Sequence, residues 1–334
     1  MRLASVIVVP VCLALAATAT VNAAPPRVFA VAEHPMTDDV PLAKPRVFPN
    51  GVTALEDVRY AALPGWRRLT MDIYMPPKQA TPRPLVVYIH GGGWMTGDSR
   101  HFGSLGNFPA VASQLASEGF VVAAIEYRHG NEAHYPAQVQ DARAAIRFLK
   151  SNAAKYGIDP TRVGLIGGSA GAHISALTAF SCGDHSLDAP DTKAEPGSEC
   201  VQAFVGWYGV YDAPALVASR PGGSDGALAK LLGCEGPCSA DKIESVSPIH
   251  YLDASDPPTL LIHGTDDKTV PVAQSHTLEA RMKALGIPVS ATYIDGVDHS
   301  FLGATTAETR AATLKAINLS FDFLHARLDK KAAK

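Results

Sequence analysis

Arg162-Val-Gly-Leu-Ile-Gly-Gly-Ser-Ala-Gly-Ala-His173 is the segment on which the reading of this chain turns. Its opening residues form a short apolar run, which predicts a buried strand over 162–166. From Ala170 the composition is helical, so Gly167 to Gly171 must carry the chain through a sharp strand-to-helix turn. Within that turn the residues spell G-x-S-x-G: flanking glycines let neighbouring backbones approach, and Ser169 is left standing at the strand end. The amides that open the helix, together with its dipole, favour negative charge beside that hydroxyl. An N-cap serine in a glycine-rich helix start has the same five letters, so the rest of the chain must decide between a reactive serine and a structural one.

A serine hydroxyl is a poor nucleophile at neutral pH, and a histidine oriented by a carboxylate is needed to take its proton. Two downstream strand ends supply both groups. His263-Gly-Thr-Asp-Asp267 closes one, and Gly296-Val-Asp-His299 closes the next. In the order Ser, Asp, His, the candidates are Ser169, Asp267 and His299. Asp266 is the near rival, and the position of Val270 and Pro271 favours Asp267. Asp298 touches His299 in sequence, but neighbours on a chain rarely face one another, so it reads as a turn residue. Upstream, His90-Gly-Gly-Gly-Trp94 ends another strand. Its consecutive glycines let main-chain amides turn inward, and with the amide of Ala170 they form a candidate oxyanion hole. His90, His173 and His263 read as structural, and Glu126, Tyr127 and Arg128 as braces rather than pocket walls.

Around these motifs the chain alternates strands and helices. Strands are predicted over 52–60, 69–74, 85–89, 120–126, 162–166, 201–207, 259–263 and 290–294. Helices are predicted up to 118, over 137–156, after Ser169, and over 272–285 and 304–328. Val139, Ala142, Ala145, Ile146 and Leu149 fall at helical spacing and give one buried face. The rhythm predicts parallel strands joined by helices. A polar stretch over 184–199 reads as a surface excursion, and 213–247 as a cap-like insertion above the site.

Composition excludes several classes. With 47% hydrophobic and 18% charged residues in 334, the chain is an ordinary globular one. Lys plus Arg number 29 against 32 Asp plus Glu, so nothing neutralises a phosphate backbone and nucleic acid is not an expected partner. Residues 1–23 have the shape of a secretory signal ending in Val21, Asn22 and Ala23, leaving 24–334 as one domain in a secreted or periplasmic protein with no stable membrane insertion. Cys182, Cys200, Cys234 and Cys238 remain, and in an oxidising compartment two disulfides are expected. Pairing Cys182 with Cys200 and Cys234 with Cys238 is favoured because each pair brackets a short polar or Gly/Pro-containing loop. Their spacing is not that of a zinc ribbon, so neither metal nor cofactor is expected.

Taken together these residues resemble the α/β-hydrolase superfamily, and within it the secreted esterase/lipase-like group with an H-G-G-G-W loop. The resemblance runs from Leu69-Thr-Met-Asp-Ile-Tyr74 through Tyr127-Arg128 and Gly157-Ile-Asp-Pro160 to Pro257-Pro-Thr-Leu-Leu-Ile-His-Gly264. It implies a mostly parallel eight-stranded sheet with a short cap and a Ser169, Asp267, His299 triad. It also implies oxyanion donors at Gly92, Gly93 and Ala170, with Trp94 at the substrate. A long N-terminal helical cap of the hormone-sensitive-lipase kind is not evident, and Gly168 stands where that subgroup often has Asp. The chain is more similar to the BD-FAE-like branch, which includes esterases of plant cell-wall esters. The resemblance therefore implies a serine carboxylic ester hydrolase for a small-molecule ester, with short-chain or small-alcohol esters expected. Acetyl or feruloyl carbohydrate esters and a formamidase-like amide are the alternatives. A non-catalytic binding module would be expected to lack a triad member, and none is missing.

Overall fold

Every residue from Leu85 to Ile89 is buried, and they divide by parity: Leu85, Val87 and Ile89 enter one apolar layer, Val86 and Tyr88 the other. A strand covered on both faces is what an unbroken apolar run between Pro84 and three glycines requires. The computed structural model describes residues 45–329 apart from 64–66, 78–80, 102, 104–106, 191, 194, 196 and 224. The expected signal segment 1–23 and the tail 330–334 lie outside the described residues.

The strands are β1 (Arg46–Val47), β2 (Thr53–Ala61), β3 (Leu69–Met75), β4 (Arg83–Ile89), β5 (Val121–Ile125), β6 (Ile158–Gly168), β7 (Ala203–Trp207), β8 (Thr259–Gly264) and β9 (Val289–Ile294). They form one sheet of order β1-β2-β3-β5-β4-β6-β7-β8-β9. Strands β4 to β9 pair in parallel, while β1, β2 and β3 pair antiparallel, β3 joining β5. The strand beyond the eight expected is β1, an exposed two-residue edge piece on β2.

The helices are α1 (Phe108–Ser117), α2 (Ala137–Ser151), α3 (Ala153–Tyr156), α4 (Ala170–Phe180), α5 (Ala213–Ala218), α6 (Gly226–Leu231), α7 (Ala240–Glu244), α8 (Ala273–Ala284) and α9 (Thr306–Leu328). One apolar layer takes Ala142, Ile146 and Leu149 of α2, Ile174 of α4 and Leu278 of α8. The opposite layer takes Phe108 and Leu115 of α1 and Phe321 and Leu324 of α9. All 11 residues of α4 are buried, which fixes the helix leaving Ser169 at the centre of the molecule.

The expected helix over 137–156 is broken. Asn152 sits at φ −103°, ψ 21°, outside helical geometry, and both its backbone amide, at 3.0 Å, and its side-chain amide, at 2.9 Å, donate to the Phe148 carbonyl. Disulfides join Cys182 to Cys200 and Cys234 to Cys238. The first closes the 184–199 excursion. That segment is pinned rather than loose, because Asp188 accepts from Arg143 and Arg147 of α2, each at 2.8 Å. In the 213–247 insertion, α5, α6 and α7 are short helices capped by Asp212, Asp225 and Ser239. Among the described residues no helix is long and apolar enough to cross a membrane.

Candidate active site

Strand β6 ends at Gly168 and α4 begins at Ala170, so Ser169 alone makes the turn, at φ 55° and ψ −123°. That conformation is costly for a residue with a Cβ and persists only where the surroundings enforce it. Here the constraint is packing. A Cβ on Gly171 would overlap the Ile89 carbonyl oxygen of β4, and one on Gly167 would press on the Gly171 carbonyl, so the helix start and the sheet meet backbone to backbone. The Ser169 amide donates to the Trp207 carbonyl of β7 at 2.9 Å and holds the turn from the other side.

Beside Ser169 stand the ends of β8 and β9. His299 Nε2 lies 2.9 Å from Ser169 Oγ, and His299 Nδ1 lies 2.8 Å from Asp267 Oδ2. An ionised carboxylate only accepts, so Nδ1 carries the proton and Nε2 is left to accept from the serine hydroxyl. The other carboxylate oxygen of Asp267 accepts the amides of Thr269 at 2.9 Å and Val270 at 2.7 Å. Burial pushes the Asp267 carboxyl up, but bonds from His263, His299 and the Val270 amide outweigh it and hold the group at about 2. Asp266 is exposed and lies off this chain of bonds. Asp298 is a turn residue, accepting the amides of Lys268 and His299 on Oδ1.

The third component comes from the loop after β4. Gly92 takes φ 114°, and its carbonyl accepts the amides of Met95 and Thr96, each at 3.1 Å, closing a tight turn. Among the described residues no hydrogen bond engages the amides of Gly92, Gly93 or Ala170. His90 braces this loop: its Nδ1 lies 2.7 Å from the Gly91 carbonyl, and burial holds the imidazole neutral, with its pKa at about 4. Tyr127 donates to the His90 carbonyl at 3.1 Å, Glu126 accepts the Ser99 amide at 2.6 Å, and Arg128 pairs with Asp141 at 2.7 Å, so all three serve as braces.

Trp94 departs from expectation. At φ 62° its side chain enters the core, where it is 4% exposed and donates from Nε1 to His173 Nδ1 at 3.1 Å. His173 in turn lies 2.7 Å from the Val246 carbonyl through Nε2. The indole anchors the loop from within and does not line the cavity. That cavity, of about 530 Å³, opens over Ser169 and His299. Its walls include residues the sequence did not single out, among them His101, Tyr208, Thr269, Ser300 and Leu302. Tyr208 directly follows β7, and its ring packs edge-on against the His299 ring, 4.8 Å between centroids. Position at a strand end is the only sequence signal that could have named it. No described residue of the 213–247 insertion lines the cavity, although Arg220 bonds the Thr269 carbonyl at its rim. Among the described residues no cluster of three or more His, Cys, Asp or Glu side chains is placed to hold a metal.

A family model described as BD-FAE matches residues 71–282. The chain belongs to the BD-FAE family. Its relatives include Esterase LipQ of Mycobacterium tuberculosis, 30% identical over 264 residues that cover 76% of this chain and 59% of LipQ. Isoprenylcysteine alpha-carbonyl methylesterase ICME of Arabidopsis thaliana is 29% identical over 240 residues, 70% of this chain and 54% of ICME. The chain thus spans less than two thirds of the length of these curated relatives. Among solved structures, a truncated form of a carbohydrate esterase from gut microbiota superposes with a TM-score of 0.69 at 28% identity, covering 83% of this chain and 97% of that one. The apo form of Thermogutta terrifontis esterase 2 gives a TM-score of 0.66 at 29% identity, covering 83% and 96%. This BD-FAE family member has the α/β-hydrolase fold of those esterases.

Proposed function

We propose that the chain is a serine carboxylic ester hydrolase for short-chain or small-alcohol esters, working through an acyl-enzyme. The observation that carries this reading is the unbroken relay from Ser169 Oγ through His299 to Asp267, with Ser169 and His299 lining an open cavity. Ser169 attacks the ester carbonyl as His299 Nε2 takes its proton, and Asp267 holds the imidazolium that forms. The amides of Gly92, Gly93 and Ala170 face the developing oxyanion, each donor contributing roughly 10²- to 10³-fold to turnover. His299 then protonates the leaving alcohol, and water attacking the acyl group regenerates the serine.

A carbohydrate-borne acetyl or feruloyl ester is the second reading, favoured by the likeness to the gut carbohydrate esterase. Both disulfides suit an oxidising compartment, and we place the protein outside the cytoplasm with cleavage after Ala23, which the mass of the mature N-terminus tests. Initial rates on p-nitrophenyl acetate, butyrate and a long-chain ester test the function. Rates that fall with chain length and vanish in Ser169→Ala support a short-acyl serine esterase. Activity that survives Ser169→Ala removes the nucleophile and the reading with it.

A further inference from the structure

Asp267 Oδ2 is shared between two histidines. Besides His299 Nδ1, it lies 3.1 Å from Nε2 of His263, the residue four positions earlier on β8. His263 is fully buried, and both its ring nitrogens are engaged: Nδ1 lies 2.8 Å from Ser275 Oγ of α8, and Nε2 lies 2.8 Å from the Val270 carbonyl.

These contacts fix the proton. A backbone carbonyl only accepts, so Nε2 must carry the hydrogen, shared between Val270 O and Asp267 Oδ2, while Nδ1 is bonded to the Ser275 hydroxyl. That hydrogen is thus set by Val270, independently of Asp267. His263 presents an N–H to the carboxylate throughout the reaction and has no route by which to become a base for Ser169.

We infer that His263 is a positioning residue of the Ser169 relay: its fixed N–H holds Asp267 ionised and competes with His299 for the same oxygen, which sets the pH at which His299 becomes free to accept a proton. This rests on the esterase reading above. Two requirements explain why the arrangement favours turnover. Asp267 must stay ionised to keep His299 in the correct tautomer, yet a carboxylate with no other partner on Oδ2 would hold the imidazolium so tightly that the free base became scarce at neutral pH. A second donor on that oxygen serves both requirements. Bonds from His263 and His299 are the main influences opposing burial at this carboxyl. Asp298 and Tyr208 interact with Asp267 through space, Lys268 reaches Asp298, and Asp266 is the adjacent exposed acid. None of these four side chains bonds the Asp267 carboxylate among the described contacts.

The test is the pH dependence of kcat/KM on p-nitrophenyl acetate for the wild type, His263→Leu and His263→Gln. Each preparation is normalised to active sites by titration with paraoxon, so that misfolded protein does not count. Removing the donor strengthens the hold of Asp267 on imidazolium, which moves the acid limb upward in pH. His263→Leu is expected to shift it up by about half to one pH unit. Gln restores an N–H near the Nε2 position and is expected to return the limb toward the wild-type value. An acid limb that stays in place in His263→Leu while only the titratable fraction falls would overturn the inference, as would a shift that Gln leaves uncorrected. Failure of paraoxon to titrate the wild type would instead overturn the esterase reading on which this rests.

Discussion

At the scale of single residues, the site depends on side chains whose freedom has been removed. Ser169 is held at a positive φ by backbone contacts on both sides, and Asp267 accepts four donors in a buried pocket. The two adjacent aspartates therefore separate in an experiment. Asp267→Asn is expected to lower kcat by roughly 10⁴, because the amide lets His299 adopt the wrong tautomer. Asp266→Asn, at an exposed position, should leave turnover within about twofold of wild type, since ordinary surface substitutions have small effects. Parallel kinetics on the two variants check this, and a collapse at Asp266 alone would reverse the assignment. The choice between them was legible in the sequence from the spacing to Val270, whose amide is one of the donors to Asp267. The direction of Trp94 was not. It depends on a positive φ, and no side-chain pattern reports a backbone dihedral. His263 read as structural because its partners, Asp267, Val270 and Ser275, meet it only once the turn after β8 and helix α8 fold back against that strand.

At the scale of elements, the strands were the most legible because burial on both faces leaves unbroken apolar runs such as 85–89. Helix ends were less so. The break at Asn152 lies in its backbone dihedrals, φ −103° and ψ 21°, with its side chain bonded back to the Phe148 carbonyl, and no periodicity of apolar residues reports either. Strand β1 escaped notice since two exposed residues carry no hydrophobic signal. Cysteine spacing predicted both disulfides, and the two differ in what they stabilise. Cys182–Cys200 spans a sequence separation of 18, and constraining that loop in the unfolded chain is worth about 3 kcal/mol. Cys234–Cys238 spans only 4, for which the same entropy argument gives about 2 kcal/mol. Urea unfolding of the two Cys→Ser double variants should show the larger loss for 182/200. Equal losses, or the reverse order, would mean that the excursion is held by Arg143 and Arg147 without help from the disulfide.

For the molecule as a whole, the sheet order brings the ends of β4, β6, β8 and β9 to one edge, where loops far apart in sequence build a single cavity. The motifs at those strand ends were readable from sequence alone. The cavity walls were not, because Tyr208, Ser300 and Leu302 become neighbours only through the topology. Stability against acid is a property at this scale. Asp188 is raised by burial but held at about 2 by His185, Arg147 and Arg143, well below its unfolded value near 3.9. A depressed carboxyl contributes stability that is fully present above about pH 4 and is lost as pH falls through about 2, here about 2 kcal/mol. The gap in unfolding free energy between wild type and Asp188→Asn should thus be full at pH 5 and close toward pH 2, as urea titrations at several pH values would show. A gap independent of pH would mean that Asp188 acts through packing rather than charge.

The central claim is that Ser169 is a nucleophile activated by His299 and Asp267. Its most direct test is intact and peptide mass analysis after stoichiometric paraoxon, which phosphorylates an activated serine. A single diethylphosphoryl group on Ser169 in the wild type, absent from Ser169→Ala and formed far more slowly in His299→Ala, is the predicted result. An unmodified wild type, or a modification elsewhere that persists in Ser169→Ala, would contradict it.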